Sequence, residues 1–477
     1  MTGIPLVVDL DGTLLRTDTL HESAIRLLRD SPMDVLRIPM WLGRGKAVLK
    51  RHIALRVGLD PTALPYREDL LEWLHAQREG GRSLVLCTAS DMSVASAVAA
   101  HLGIFDQVIA SDGVTNLAGS NKADALIERF GDAGFDYAGN SSADLAVWAH
   151  SRRAIVVDAP DDVLRHARER SEVEREFART PVGWRDWRRM LRVHQWLKNL
   201  LLFVPVVAAH RLGELETLGE LILAFLSFSL CASAVYIGND LLDLESDRLH
   251  PRKRSRPFAS GAVPVWRGVL AAPVLLAASL LLGLLVGGAF LPWLAGYFLL
   301  TCAYSMLLKR LALVDCLTLA LLYTIRIVAG AAAAAQELSF WLLAFSLFLF
   351  LSLAFIKRYA ELLVQAGSGK DKAHGRGYYT ADAALVMIFG VVSGYGSAVV
   401  LALYLNSEAV MRLYRFPEIA GGTVPILIFW ISWVWLQATR GLMNDDPLVF
   451  AVKDPASLGA GMAFGAVLAL ASAGLPW

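Results

Sequence analysis

The stretch Asn239-Asp240-Leu-Leu-Asp243-Leu-Glu-Ser-Asp247 closes a long apolar run with three aspartates and an asparagine at spacings of three and four. On a helix, positions three and four apart share a face. Asp240, Asp243 and Asp247 are therefore expected to point the same way at a membrane boundary, with Asn239 close by. Carboxylates at membrane depth are expensive and usually functional. Hard oxygen ligands facing one space suit Mg²⁺ holding a diphosphate. The alternative, a solvated helix end with ordinary acids, is disfavoured because Arg252-Lys253-Arg254-Ser-Arg256 follows at once. Acid for a metal followed by base for phosphate is what a diphosphate site requires.

A second set of chemistry-bearing residues lies near the N-terminus. Ile4-Pro-Leu-Val-Val-Asp9-Leu-Asp11-Gly12-Thr13 reads as a short apolar strand ending in two aspartates and a glycine turn. Leu84-Val-Leu-Cys-Thr88-Ala-Ser90 is a second strand with hydroxyls at its end, and Lys122 opens a helix. Tyr137-Ala-Gly139-Asn140-Ser141-Ser-Ala-Asp144 is a third strand and turn. In open α/β sheets, sites form at the carboxyl ends of strands.

The elements that must position these residues differ between the two halves. The chain has 477 residues, 55% of them hydrophobic and 19% charged, with a mean hydropathy of +0.48. That is too apolar for an ordinary soluble protein and long enough for two or more domains. Residues 1–190 carry a soluble charge pattern; beyond them the chain is mostly long apolar stretches. The net charge of +1 identifies no partner; no nucleic-acid partner is expected, and the oligomeric state stays open. Four cysteines, Cys87, Cys231, Cys302 and Cys316, show no pairing pattern. No cleavable leader is evident, which is read as leaving the first domain in the cytosol.

A membrane helix needs roughly 20 apolar residues. Spans are expected near 217–238, 266–286, 290–308, 311–333, 338–356, 384–405, 423–439 and 456–475, with a shorter ninth from Trp196 to His210. With the first domain cytosolic, alternate loops carry Arg248 to Arg256, Lys309 and Arg310, Lys357 to Arg376, Arg440 and Lys453, against Arg211, Arg412 and Arg415 opposite. This follows the positive-inside rule and places the aspartates on the cytosolic face of the plasma membrane. Three segments are expected: 1–164, a charged linker helix over 165–192 whose Trp184 to Met190 part suits the headgroup layer, and 193–477. Arg326, inside an apolar span, is a candidate site residue by default, or else a structural pair with an internal acid or carbonyl. Asp315, in the same span, invites the same reading.

The membrane half, roughly 190–477, resembles the UbiA superfamily of intramembrane prenyltransferases. Asn239-Asp240-x-x-Asp243-x-x-x-Asp247 matches its first aspartate-rich motif, and Tyr304-Ser305-x-x-x-Lys309 its middle signature. The resemblance implies nine helical spans around a cavity holding a polyprenyl chain. The chain departs from the pattern after the sixth span, where Lys357-Arg358-Tyr359-Ala-Glu361 and Gly375-Arg376 stand in place of a second aspartate-rich motif. A basic loop suits a free phosphate group. With Gln195-Trp196-Leu-Lys198-Asn199, these departures look like the decaprenyl-phosphate phosphoribosyltransferase branch. The implied reaction uses phosphoribosyl pyrophosphate as donor and a polyprenyl phosphate as acceptor. Asn239, Asp240, Asp243 and Asp247 would hold Mg²⁺ on the diphosphate, and Lys198, Tyr304, Lys309, Arg326, Lys357, Arg358 and Arg376 are candidates to bind substrate.

Residues 1–160 resemble the haloacid dehalogenase (HAD) phosphatases, an α/β Rossmann-like fold with a small helical cap, here over 16–80. The resemblance makes Asp9 the nucleophile, Asp11 the general acid and base, and Thr88 and Lys122 the phosphoryl holders. Asp9, the Asp11 carbonyl, Asn140 and Asp144 would hold Mg²⁺. Asn140 stands where the family usually has aspartate. A phosphatase beside such a transferase would remove the 5-phosphate of the lipid-linked product. Two other readings remain: a prenyltransferase using a prenyl diphosphate and another acceptor, and a membrane protein with a non-catalytic regulatory HAD-like domain.

Overall fold

The structure is a computed structural model and describes residues 3–367, 369, 371, 376–443 and 446–473. It divides into two compact units: one runs through Arg192 and includes Tyr236–Pro273, the other takes Val193–Val235 and Val274 onward. The division at Arg192/Val193 coincides with an expected boundary between the segments 1–164, 165–192 and 193–477, while Tyr236–Pro273 groups with the first unit.

The first unit is built on a parallel sheet of six strands: β1 (Leu6–Val8), β2 (Leu84–Asp91), β3 (Gln107–Ser111), β4 (Asp136–Gly139), β5 (Arg153–Val157) and β6 (Glu172–Phe177). Their order is β3-β2-β1-β4-β5-β6, so the chain reverses direction of growth at β1. Alternate residues serve opposite cores, as the pleat requires. Leu6, Val8, Leu84 and Leu86 pack with Trp73 and Leu74 on one face. Val7, Val85, Cys87 and Tyr137 pack with Trp148 on the other. Covering both faces suits an all-parallel sheet.

β6 corrects the linker expectation for 165–192. The Asp161–Arg170 helix and β6 complete the sheet, and only Trp184–Met190 is a separate short helix. The charges of Glu172-Val-Glu-Arg-Glu-Phe hid a strand, because an edge strand carries charge on its open side. Arg175 lies 5.0 Å over the Phe177 ring and 5.5 Å over Trp73. Between β1 and β2 a small helical layer has its own core of Leu27, Trp41, Leu49, Ile53 and Val57.

The second unit is helical. Among the described residues, seven helices are long and apolar enough to cross a membrane: Leu215–Leu242, Val265–Val286, Val314–Ala333, Phe340–Gly367, Thr380–Leu405, Pro417–Thr439 and Pro455–Ala473. Two expected spans differ. The 290–308 segment forms a helix of 16 residues, Leu291–Met306. The ninth, Trp196 to His210, is not one α-helix: Val193–Phe203 is 3₁₀ and Val204–Ala208 is a single α-turn around Pro205. Irregular backbone at membrane depth survives only where protein surrounds it. Here Val314–Ala333 supplies that cover, and it is itself 72% buried over its span against 11% for Val265–Val286. The approach is closest at Gly330, where a Cβ would stand 1.9 Å from the Leu202 carbonyl oxygen.

Gly330→Ala is therefore expected to lower stability by about 1–3 kcal/mol through overpacking. Gly459→Ala, a site with nothing within 4 Å of the added carbon, is the control. Thermal unfolding of both variants in detergent checks this, with a lowered midpoint expected only for Gly330→Ala.

Candidate functional site

Two chemical centres lie in the first unit. At the first, Asp9 follows β1, Thr88 lies near the end of β2, and Asn140 follows β4, so the switch point of the sheet gathers all three. Lys122, buried in the Ser120–Phe130 helix, donates to Asp9 Oδ1 at 2.8 Å and to the Tyr137 hydroxyl at 2.8 Å. Tyr137 donates in turn to Asp144 Oδ1 at 2.7 Å. Gly12 has φ +76, and a Cβ there would stand 2.1 Å from Asn140 Nδ2, so only glycine fits beneath that amide. Asp11 accepts from the Thr19 amide at 2.8 Å and from Ser90 Oγ at 2.5 Å. Thr88 is fully buried and its hydroxyl accepts from the Ser90 amide at 3.0 Å.

Burial raises the Asp9 carboxyl to about 7, with Lys122 pulling down and Asp144 pushing further up. Burial also raises Asp11, aided by Asp18. Asp144 is already held by the protein. Its Oδ2 accepts from the Asn140 amide at 3.0 Å, the Ser141 amide at 2.9 Å and Ser141 Oγ at 2.9 Å. Its Oδ2 thus holds the turn after β4, while its Oδ1 meets Tyr137 of β4.

Lys50 was not singled out from the sequence. It comes from the Lys46–Ala54 helix of the small helical layer and donates to the Ala89 carbonyl at 2.6 Å and Asn116 Oδ1 at 3.0 Å. Burial lowers its pKa, while Asp11, Asp18 and Asp9 oppose that. Only its position in a helical layer above strand ends could have flagged it.

The second centre is the aspartate cluster. Leu215–Leu242 ends before Asp243, which has φ −98 and ψ 11 and opens the short helix Leu244–Leu249. The break is slight: Asp243 N–H still reaches the Asn239 carbonyl at 2.9 Å and Asp247 N–H the Asp243 carbonyl at 2.8 Å. Asp240 and Asp247 are buried, Asp243 and Asn239 half-buried. Arg256 bridges the two buried acids, 3.1 Å from Asp240 Oδ1 and 2.5 Å from Asp247 Oδ2. Arg192 also pairs with Asp240 and lies 4.9 Å over the Tyr236 ring. Burial raises the Asp247 carboxyl, and Arg256 opposes it.

Among the described residues, no three His, Cys, Asp or Glu side chains converge to hold a metal ion. Neither expected set, Asp9, Asp11, Asn140 and Asp144 or Asp240, Asp243 and Asp247, is drawn together as a ready ligand shell. Arginine closes the second set. Asp247 Oδ1 is nonetheless buried without a hydrogen-bond partner.

The second unit holds the basic candidates. Lys198 lies 2.7 Å and Lys357 3.7 Å from Asp446 Oδ2, and the Tyr323 hydroxyl is 3.4 Å from both Asp446 oxygens. Burial pushes Asp446 up, but Lys198 and Lys357 pull it further down, to about 2. Asp446 was missed because it lies between two spans in a loop with no motif. Arg358 is fully enclosed, 2.6 Å from Asp315 and paired with Glu361. Arg376 reaches the Tyr304 hydroxyl at 3.0 Å and lies 3.7 Å from Asp315. Tyr378 donates to Asp315 at 2.7 Å. Lys309 is half-buried in a 3₁₀ turn. Arg326 is committed to Asn199 Oδ1 at 2.8 Å, the Leu322 carbonyl and the Tyr297 hydroxyl at 3.0 Å. That is the structural pairing, not an open substrate ligand. Lys370, Lys372 and His374 lie outside the described residues.

Residues 200–437 match the sequence model of the UbiA prenyltransferase family. A Sinorhizobium fredii protein named "Uncharacterized protein y4nM" is 38% identical, over 98% of this chain and 91% of its own length. The decaprenyl-phosphate phosphoribosyltransferase of Mycobacterium tuberculosis is 37% identical over 185 residues, 38% of this chain and 61% of that one. A UbiA homologue from Archaeoglobus fulgidus, solved with GPP and Mg²⁺, aligns with a TM-score of 0.46 at 17% identity, over 60% of this chain and 97% of that one.

The raised Asp9 pKa has a signed consequence. Below about pH 4 the proton is bound in both states; between about 4 and 7 the folded state keeps it and the unfolded state loses it, so stability falls as pH rises. In the metal-free protein, Asp9→Asn is expected to raise the melting midpoint near pH 8 and to change it little near pH 4. Thermal melts with a chelator at both pH values test this; equal shifts at both would contradict it.

Proposed function

Because the chain belongs to the UbiA prenyltransferase family, we propose that it is a multi-pass membrane transferase moving 5-phosphoribosyl from phosphoribosyl pyrophosphate to a polyprenyl phosphate. The observation that carries this is the arginine-bridged pair of buried acids, Asp240 and Asp247, in the first unit; the second unit, by itself, holds a lysine pair on Asp446. The orphaned Oδ1 of Asp247 and the hard oxygens around it fit Mg²⁺. Asn239, Asp240, Asp243 and Asp247 would hold it, and its charge would neutralise the departing diphosphate. The bond from ribose C1 to the diphosphate oxygen breaks as a lipid phosphate oxygen, already anionic, bonds to C1. Lys198, Lys357 and Arg376, each partly exposed, are the best-placed basic groups to bind phosphate; Arg326 and Arg358 are structural.

The N-terminal domain is proposed to be a HAD-type phosphatase that removes the ribose 5-phosphate of that product. The Asp9–Lys122 pair at the switch point supports it. Asp9 would take the phosphoryl group, Asp11 would protonate the leaving ribose oxygen, and water would then release phosphate. Asp9, the Asp11 carbonyl, Asn140 and Asp144 would hold Mg²⁺ there. Both active sites would face the cytosol of the plasma membrane, following the loop charges.

Two measurements test these readings on purified protein in detergent with phosphoribosyl pyrophosphate, decaprenyl phosphate and Mg²⁺. Asp240→Ala is expected to cut pyrophosphate release about 100-fold; full turnover would refute the diphosphate assignment. Asp9→Asn is expected to leave lipid-linked phosphoribose to accumulate without phosphate release; an unchanged ratio of phosphorylated to dephosphorylated lipid would refute the phosphatase step.

A further inference from the structure

Tyr236–Pro273 folds into the same compact unit as the N-terminal sheet, and one buried ion pair holds it there. Arg248 directly follows Asp247 on the Leu244–Leu249 helix. Its guanidinium meets Glu22 twice, at 2.8 and 2.5 Å, with both side chains under a tenth exposed. The same guanidinium donates to the Ala63 and Ala259 carbonyls at 3.3 and 2.9 Å. Glu22 lies one turn into the Thr19–Asp30 helix, whose first amide, Thr19, donates to Asp11.

Other contacts define the same docking. Gly261 has φ +72, and a Cβ there would stand 2.6 Å from Arg16 Cβ and 2.9 Å from the Arg16 carbonyl oxygen. Arg26 and Arg29 lie 3.1 and 3.6 Å from Glu245, in exposed pairs that contribute little. The buried pair differs, since removing one partner leaves an uncompensated charge inside.

We propose that Glu22 and Arg248 are positioning residues for the aspartate cluster: the N-terminal domain sets the orientation of Asp247 and so the transferase's affinity for its metal. This rests on the transferase reading and deepens it. The N-terminal domain then serves the transfer reaction even when its own phosphatase chemistry is disabled. Because the Thr19–Asp30 helix begins at the Asp11 loop, the connection runs through one rigid element.

The experiment uses full-length protein in detergent, with Glu22→Gln, the reversed pair Glu22→Arg/Arg248→Glu, and Gly459→Ala as the comparison at a site with open space around it. Glu22→Gln is expected to raise the Mg²⁺ concentration for half-maximal pyrophosphate release about tenfold, as for other partners that orient metal ligands, with a smaller change at saturating Mg²⁺. Amide exchange over 244–249 in metal-free protein should quicken, while exchange in β1 and β2 is unchanged. The reversed pair should restore part of both, and Gly459→Ala should move neither. Unaltered Mg²⁺ dependence together with unaltered exchange in Glu22→Gln would overturn the proposal. If Glu22→Gln disrupts the sheet itself, Glu22→Asp carries the same comparison. A wild-type protein that transfers nothing refutes the transferase reading instead, and the exchange data then still decide whether Glu22 holds the 244–249 helix.

Discussion

Asp240 and Asp247 are two buried carboxylates separated by less than two turns of chain, and a single guanidinium, Arg256, meets both. Much of this end of the molecule follows from that constraint. Two anions cannot be enclosed together without a cation between them. The chain supplies one from nine residues further on, so the segment after Asp247 must fold back. Arg192 adds a second from the start of the membrane half, adopting φ +50, a backbone that side chains other than glycine rarely take. Asp240, Asp243 and Asp247 would be the residues to hold a divalent ion here, which would supply positive charge in place of the arginine contacts.

The N-terminal centre solves the same problem with lysine. Asp9 and Asp144 both approach Lys122, at 2.8 and 3.9 Å, and Tyr137 links Lys122 to Asp144 by hydrogen bonds. The division of labour is visible in the partners. Asp144 has Oδ2 occupied by donors from its own turn and Oδ1 by the Tyr137 hydroxyl of β4, whereas Asp9 meets its lysine through one oxygen. Asp9 is the acid with fewer fixed partners, and burial raises its pKa.

The local elements of both centres were legible in the sequence because they depend on short-range pattern. The strand before Asp9, the strand carrying Thr88 and the apolar run before Asn239 each appear where their periodicity indicates. What escaped the sequence depends on partners far away in the chain. Nothing near Asp446 signals that Lys198, 248 residues earlier, will pair with it. Nothing near Arg326 shows that Asn199 will accept its proton. β6 was hidden by its charge, and the expected Trp196–His210 span by an apolar content that says nothing about Leu202 meeting Gly330. Composition reports how far a segment avoids water; it does not report what covers it.

The ion pairs of the second unit also rank its basic residues by what a phosphate could do there. Arg358 and Arg376 face two acids, Asp315 and Glu361, so that group is already neutral. A phosphate approaching it would have to displace a carboxylate from an enclosed arginine, and breaking such a buried pair costs about 3–5 kcal/mol. Lys198 and Lys357 share one acid, Asp446, which leaves an excess positive charge among the described residues of that group. Lysine is a flexible point charge that can turn to a new anion without giving up a planar pairing. Asp446 holds the two ammonium groups close together and keeps them from repelling each other apart. A phosphate arriving there would add the negative charge the cluster lacks, so the electrostatics favour the lysine pair over the arginines beside Asp315 for binding an anion.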